Sequence, residues 1–267
     1  MNLAGKTAVV TGAAGGIGRA VSRSLARRGC NLALADVNEA GLAETASLAG
    51  QGLRITTHRL DVADRQAIAA FPDAVSAFHP GVDLLVNNAG VAVGGAFDQV
   101  SEADFDWLID INFWGVVRMT RAFLPLLKAS REARLVNISS LFGLIAPPGQ
   151  TAYCASKFAV RGFSESLRHE LTGGRVGVTT VHPGGVATSI AKNARISGAL
   201  SEAEQARSQE RFSRLLKMPP EQAGEIIVAG VEKDRPRIIV GSDAKLASLV
   251  ERLFPVSYWK FIGAGRE

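Results

Sequence analysis

Tyr153 and Lys157 stand four residues apart in the stretch Tyr153-Cys154-Ala155-Ser156-Lys157. On a helix this spacing puts both side chains on one face, about one turn apart. A cation beside a phenol favours the phenolate, so the pattern predicts a Tyr153 pKa lowered from about 10 towards neutrality. A tyrosine placed in this way is a candidate general acid or base for a hydroxyl or carbonyl group. Ser140 lies upstream, at the end of a predicted strand. Tyr-x-x-x-Lys alone also describes an ordinary pair on a surface helix, so its meaning depends on the elements around it.

The first of those elements is Thr7-Ala8-Val9-Val10, a short buried strand by its composition. The turn Thr11-Gly12-Ala13-Ala14-Gly15-Gly16-Ile17-Gly18 follows, and a helical pattern begins near Arg19. Strand, glycine-rich turn and helix form the opening of a dinucleotide-binding unit. Gly12, Gly16 and Gly18 let backbone approach a pyrophosphate, and the helix N-terminus offers it free N–H groups. Residues 31–36 read as a second parallel strand ending in Asp36, where a carboxylate can hydrogen-bond a ribose diol. A 2′-phosphate there would meet a like charge, which favours NAD over NADP. Arg19 is the cation that argues the other way.

A helix over about 40–49 leads to a strand over 54–60 and to Asp61-Val62. Asp61 either accepts from an adenine amino group, with Val62 against the ring, or caps the helix beginning near Asp64. Residues 82–86 read as a fourth strand closed by Asn87-Asn88-Ala89-Gly90, whose amides can satisfy neighbouring backbone or touch a ribose. Residues 104–129 carry one long amphipathic pattern with Asn112 inside it and Pro125 near its far end. A buried asparagine needs partners; Asn112 either bends the helix and holds a water or bonds to backbone. Residues 135–140 and 176–181 read as further strands, separated by the helix bearing Tyr153 and Lys157. His182-Pro183-Gly184-Gly185-Val186-Ala187-Thr188 follows at a strand's carboxyl end, where open α/β sheets bind ligands. The polar stretch 189–216 is expected to be a mobile lid over a substrate, with the alternative of a loosely packed surface helix pair. A helix from Pro220 and a strand over 237–240 complete the sheet.

The chain has 267 residues, 47% of them hydrophobic, with 28 glycines. That suits one large α/β domain over 1–241, with 242–267 as an amphipathic, aromatic extension of it. The 30 basic and 25 acidic residues are dispersed, which suits a mildly basic enzyme surface rather than a nucleic-acid interface. Cys30 and Cys154 have neither metal-ligand spacing nor a disulfide framework, so a reduced, cytoplasmic compartment is expected. His58, His79, His169 and His182 form no cluster, so no metal site is expected. No apolar run is long enough to span a bilayer.

Together, TGAAGGIG, Asp36, Asp61-Val62, NNAG, Asn112, Ser140, Tyr153-x-x-x-Lys157 and Pro183-Gly184-Gly185-Val186-Ala187-Thr188 closely resemble the short-chain dehydrogenase/reductase family. The resemblance runs from about Lys6 to Val240. It implies a doubly wound parallel Rossmann-type sheet of about seven strands and hydride transfer between a nicotinamide and a carbinol carbon. In that reading Ser140 holds the substrate oxygen and Tyr153 gives or takes the proton. Lys157 binds the nicotinamide ribose and, with the oxidised ring's charge, lowers the Tyr153 pKa. Asn112 completes a proton relay through water. Gly12, Gly16, Ile17, Gly18, Asp36, Asp61, Val62, Asn88, Ala89, Gly90, Pro183, Gly184, Val186 and Thr188 would line the cofactor, with Val186 and Thr188 on its carboxamide.

The expected activity is NAD-preferring interconversion of a secondary alcohol and a ketone. The apolar loop 141–148, with Val91 and Val93, favours a lipophilic substrate of steroid, retinoid, acyl or terpenoid type. The alternatives are an NADPH-dependent carbonyl reductase and a non-catalytic dinucleotide-binding protein. The resemblance implies a homodimer through the long helices. The aromatic tail, unlike the glycine-rich end common in the family, puts a tetramer in doubt. That tail either packs on its own subunit or a partner, or covers a substrate mouth or touches a membrane surface.

Overall fold

Seven strands build one parallel sheet: β1 (Thr7–Thr11), β2 (Asn31–Asp36), β3 (Ile55–Arg59), β4 (Leu84–Asn87), β6 (Ala133–Ile138), β7 (Val176–Pro183) and β9 (Arg237–Val240). Their order is β3-β2-β1-β4-β6-β7-β9, and every neighbouring pair is parallel. The computed structural model describes residues 1–190, 193–196 and 216–263. Connections between parallel strands need crossovers. Those in the described residues include α1 (Gly16–Ala26), α2 (Glu39–Ala49), α3 (Arg65–Ser76), α4 (Glu102–Ile109), α5 (Gly115–Ala129), α6 (Thr151–Glu170) and α7 (Pro220–Glu232). The expected doubly wound α/β fold is what the chain forms.

Strand composition dictates two covered faces. β1, β4 and β6 are buried at every position, as expected when helices cover both sides of a parallel sheet. Side chains alternate along β2: Leu32 and Leu34 join Val21 and Leu25 of α1 and Ile227 and Val231 of α7. Ala33 and Ala35 face the opposite layer, with Phe71 of α3 and Met119, Phe123 and Leu127 of α5. Phe71 meets Phe123 edge-on at 5.4 Å between ring centroids. At the carboxyl end of the central strands, Asn87 and Asn137 are register partners. The Asn87 amide donates to Asn137 Oδ1 at 2.9 Å and to Thr120 Oγ1 at 3.2 Å, and the Asn137 amide donates to Ser164 Oγ at 2.9 Å.

Several boundaries differ from the sequence reading. α1 starts at Gly16, three residues before Arg19, and strands β4 and β6 are shifted by one or two residues. The long amphipathic helix over 104–129 is interrupted: α4 gives way to a π-helical turn, Asp110–Trp114, and then to α5. Most of the expected lid over 189–216 lies outside the described residues. Within it, β8 (Arg195–Ile196) pairs in parallel with β5 (Val93–Gly94). Arg195 stacks on Trp107, 3.6 Å from the ring centroid, and pairs with Asp104 at 2.9 Å.

After β9 the chain forms α8 (Ser242–Leu253) and α9 (Tyr258–Ile262). The buried face of α8 is made by the small residues Ala244, Ala247 and Ser248, while Leu246, Leu249 and Leu253 are exposed. The apolar stripe of the tail therefore does not pack on the described part of its own subunit. No described helix is long and apolar enough to cross a membrane.

Replacing Phe123 by Ala removes a fully buried ring from the α3–α5 layer. The expected loss is about 3–5 kcal/mol of unfolding free energy, read from urea denaturation midpoints at constant slope.

Candidate active site

The site is built at the carboxyl ends of β1, β4, β6 and β7. Ser140 follows β6 in extended conformation, and its hydroxyl accepts from the amide of Phe142, starting a short 3-10 turn over Leu141–Gly143. Gly143 is required there, because a Cβ would lie 2.7 Å from the carbonyl oxygen of Lys157. That carbonyl accepts from Ser139 Oγ at 2.8 Å. The strand end and helix α6 are thus locked together, and the Ser140 hydroxyl acts on Tyr153, favouring its ionised form.

Lys157 is 3% exposed. Its ammonium donates to Ile138 O at 3.1 Å and lies 5.7 Å from the centre of the Tyr153 ring. Burial lowers its pKa to about 8. Tyr153 departs from the expectation of a depressed pKa. Its ring is half-buried, and protein atoms packed around it push the pKa up to about 12, against the lowering effect of the Ser140 hydroxyl. Desolvation dominates the shift.

Asn112 is fully buried inside the π-helical turn. Its side chain accepts from Val91 N at 2.8 Å and donates to Val91 O at 3.0 Å and to Ser156 Oγ at 3.2 Å. Its side chain bonds to backbone, and the helix is interrupted at the same point. The π turn breaks the regular carbonyl ladder at this point, an irregularity frequent at functional sites. Gly90 passes so close that a Cβ would lie 3.1 Å from Asn112 Oδ1 and 3.5 Å from Lys157 Nζ.

The glycine-rich turn is joined to the same cluster. Gly12 has φ 65°, and a Cβ on it would lie 2.8 Å from Ala89 Cα. Asn88 Nδ2 donates to the carbonyls of Thr11 and Gly12, both at 3.0 Å, and the amides of Asn88 and Ala89 both donate to Thr11 Oγ1. A Cβ on Gly18 would meet Asn88 Nδ2 at 2.6 Å, and Thr188 closes over Gly16. Ile17 packs into the core beneath. α1 has no side-chain cap and no acid in its first turn, so its N–H groups and positive dipole end suit the pyrophosphate of a dinucleotide.

Asp36 accepts from the amides of Ala14 and Asn38, both at 3.0 Å, and remains partly exposed at the mouth of this turn. Arg19 is committed elsewhere: it forms a fork with Glu44 at 2.7 and 2.6 Å and donates to Thr45 Oγ1 at 3.0 Å. Asp64 supplies the α3 cap, accepting from Gln66 and Ala67, while Asp61 accepts from the amide of Ala63, before the helix. Capping of α3 by Asp61 is thereby corrected. Val62 is buried against Gly115. Pro183 ends β7, and Val186 bridges to Met218.

Three residues escaped the sequence reading. His182 is buried, and its Nδ1 lies 3.0 Å from the carbonyl of Ser140. Asp243 of α8 accepts from Gly185 N at 2.8 Å, and Tyr258 of α9 accepts from Ala146 N at 2.9 Å. A histidine preceding Pro183 was visible, but its burial was not. The other two contacts join residues distant in sequence, and no local signal marks them. Cys154, beside Tyr153, is buried near Ile145.

The pattern of the short chain dehydrogenase family matches residues 6–197. The chain belongs to the short-chain dehydrogenase/reductase family. It is an NAD(P)-dependent oxidoreductase. SadH of Mycobacterium tuberculosis is 47% identical over 264 residues, covering 98% of this chain and 95% of SadH. A family member from Burkholderia phymatum, solved in complex with NAD, is 32% identical with a TM-score of 0.86, covering 95% of each chain. A metagenomic short-chain oxidoreductase, solved in complex with NADP, is 30% identical with a TM-score of 0.72, covering 90% of this chain and 98% of its own.

His182 makes stability depend on pH. Burial lowers its pKa from 6.5 to about 4. Between those values the unfolded chain binds a proton that the folded chain refuses, so stability falls as pH drops. The expected loss from this group is about 3 kcal/mol between pH 6.5 and 4. Urea unfolding across that range measures it, and His182→Gln should flatten the slope.

Proposed function

We propose that this dehydrogenase/reductase interconverts a secondary alcohol and a ketone, with NAD preferred over NADP. The observation that carries the reading is the Lys157 ammonium buried beside the Tyr153 ring, 5.7 Å from its centre, with the Ser140 hydroxyl lowering the pKa of the same tyrosine. Ser140 holds the substrate oxygen and stabilises charge on it. Tyr153 donates its proton to that oxygen in reduction and takes it back in oxidation. With a pKa of about 12 it is a phenol at neutral pH, ready as the acid. Lys157 holds the nicotinamide ribose beside it, and Asn112 keeps the π turn and Val91 in place for the proton path.

The cofactor, when bound, supplies or accepts the hydride and, when oxidised, brings a positive charge that favours the phenolate. Gly12, Gly16, Ile17 and Gly18 cradle its pyrophosphate. Asp36 takes the adenosine ribose diol, with Asp61 and Val62 at the adenine. Asn88, Ala89 and Gly90 line the nicotinamide ribose, with Pro183, Gly184, Val186 and Thr188 at the carboxamide end. The engagement of Arg19 with Glu44 supports NAD, because the nearby cation is already matched. Phe142, edge-on to Tyr153 at 6.1 Å, and the apolar Val91 support a lipophilic substrate. Exposed Trp114 and Phe158 support a homodimer through the faces of the long helices.

Tyr153→Phe should bind NADH as the unaltered protein does and lose turnover by about 10²- to 10⁴-fold, read from initial rates on a panel of secondary alcohols. Normal turnover would remove the proposed acid/base. Asp36→Ala should weaken NADH about ten- to hundredfold and NADPH far less, read by cofactor fluorescence titration. Equal losses would remove the NAD preference.

A further inference from the structure

Two loops flank Tyr153, and the C-terminal segment touches both. The first is 141–150, the covalent link between Ser140 and the helix that carries Tyr153. Its early part is fixed by the 3-10 turn and by burial of Leu144 and Ile145. Its late part is fixed where Gly95 N donates to Gly149 O at 3.2 Å and Cys154 N donates to Gln150 O at 2.8 Å. Between these anchors the chain is Ala146-Pro147-Pro148. Neither proline has an N–H, so the Ala146 amide is the one backbone donor in that span, and Tyr258 Oη accepts it at 2.9 Å. The chain has two tyrosines, and this is the second.

The other loop is the turn after β7. Gly185 N donates to Asp243 Oδ2 at 2.8 Å. The carboxylate is pressed against Gly184, where a Cβ would lie 2.6 Å from Asp243 Cγ. Gly241, with φ 102°, turns the chain out of β9 so that the first turn of α8 reaches this position. β6 and β7 are adjacent, with Ile138 and Val181 in register. One continuous stretch, from Asp243 through α8 to Tyr258, therefore joins the loops leaving two neighbouring strands.

We propose that α8 and α9 are a positioning element of the active site, with Asp243 fixing the Gly184–Gly185 turn and Tyr258 fixing the loop between Ser140 and Tyr153. The inference rests on the proposed function, which puts the substrate oxygen at the first loop, between Ser140 and Tyr153, and the cofactor's carboxamide at the second. The tail then sets the separation between hydride donor and substrate oxygen. Transfer rates depend steeply on such placement. Tyr258 and Asp243 touch no reacting atom; they act through the loops.

The test uses full-length variants, NADH as cofactor probe and a series of secondary alcohols of increasing size with NAD. Tyr258→Phe deletes one hydroxyl. It should lower kcat about five- to tenfold and flatten the preference among alcohols, with NADH affinity unchanged. Asp243→Ala should weaken NADH binding about five- to tenfold, and Asp243→Asn, which keeps an acceptor oxygen, should restore most of it. Tyr258→Phe with unaltered kcat and alcohol preference overturns the proposal, as does Asp243→Ala with unaltered NADH affinity. If the Tyr258 variant does not fold, the Asp243 pair still decides. Tyr153→Phe, assayed alongside, separates the two readings: turnover in that variant removes the proposed function, whereas an inactive Tyr153→Phe with an unaltered Tyr258→Phe removes only the role of the tail.

Discussion

Lys157 is the group around which the site is arranged, because a cation is being held out of water. Its pKa of about 8, against an ordinary 10.5, means that charging it in the folded chain costs roughly 3 kcal/mol. The cost is present in full below about pH 8 and fades as pH rises towards 10.5. Nearby groups keep the ammonium in place despite that cost. Ile138 O accepts from it, Ser139 holds the backbone of its own residue, and Gly90 and Gly143 leave no room for side chains that would displace it. Its neighbour Tyr153 is pushed the opposite way by the same burial. Both groups are moved towards their neutral forms, so any added charge in the cleft has a large effect on them.

What could be read from the sequence follows from how local each signal is. Tyr153, Lys157, the glycine turn and the strand ending in Asp36 each reveal themselves within a few residues, and the fold brings them to one edge of the sheet. The alternating or continuous apolar runs likewise gave the seven strands. Three things were hidden. The π turn at Asn112 leaves the amphipathic pattern almost unbroken, because buried residues still recur every three or four positions across it, at Leu108, Ile111, Asn112, Gly115, Val116 and Met119. The Tyr153 pKa was misjudged because a sequence displays the neighbouring charge but not the packing that removes water. Arg19 looked free to meet a phosphate, and its partner Glu44 lies on the next helix, where no spacing rule points to it.

The glycine turn and the Asn88 loop illustrate a second constraint, which is steric. Gly12 and Gly18 enclose Asn88 with no space for a Cβ, and Asn88 in turn satisfies the carbonyls of Thr11 and Gly12. The backbone facing a dinucleotide is thereby shaped before ligand arrives. Binding to such a surface loses little loop entropy. The same economy extends to Asp36, whose two oxygens are oriented by the Ala14 and Asn38 amides rather than left to swing.

The asparagine pair at the centre of the sheet bears on how the strands find their alignment. β4 and β6 are buried on both faces, so an inside–outside pattern cannot tell one alignment from another. Asn87 and Asn137 can. Sliding β6 by one residue turns the Asn137 amide to the opposite side of the sheet from Asn87, and sliding it by two leaves the amide beside Leu85. Either error strands buried amides, each costing about 1–3 kcal/mol. The pair works as a key for strand register in a part of the sheet where hydrophobicity alone is ambiguous. It guards the alignment of the two strands that deliver Asn88 and Ser140 to the same edge.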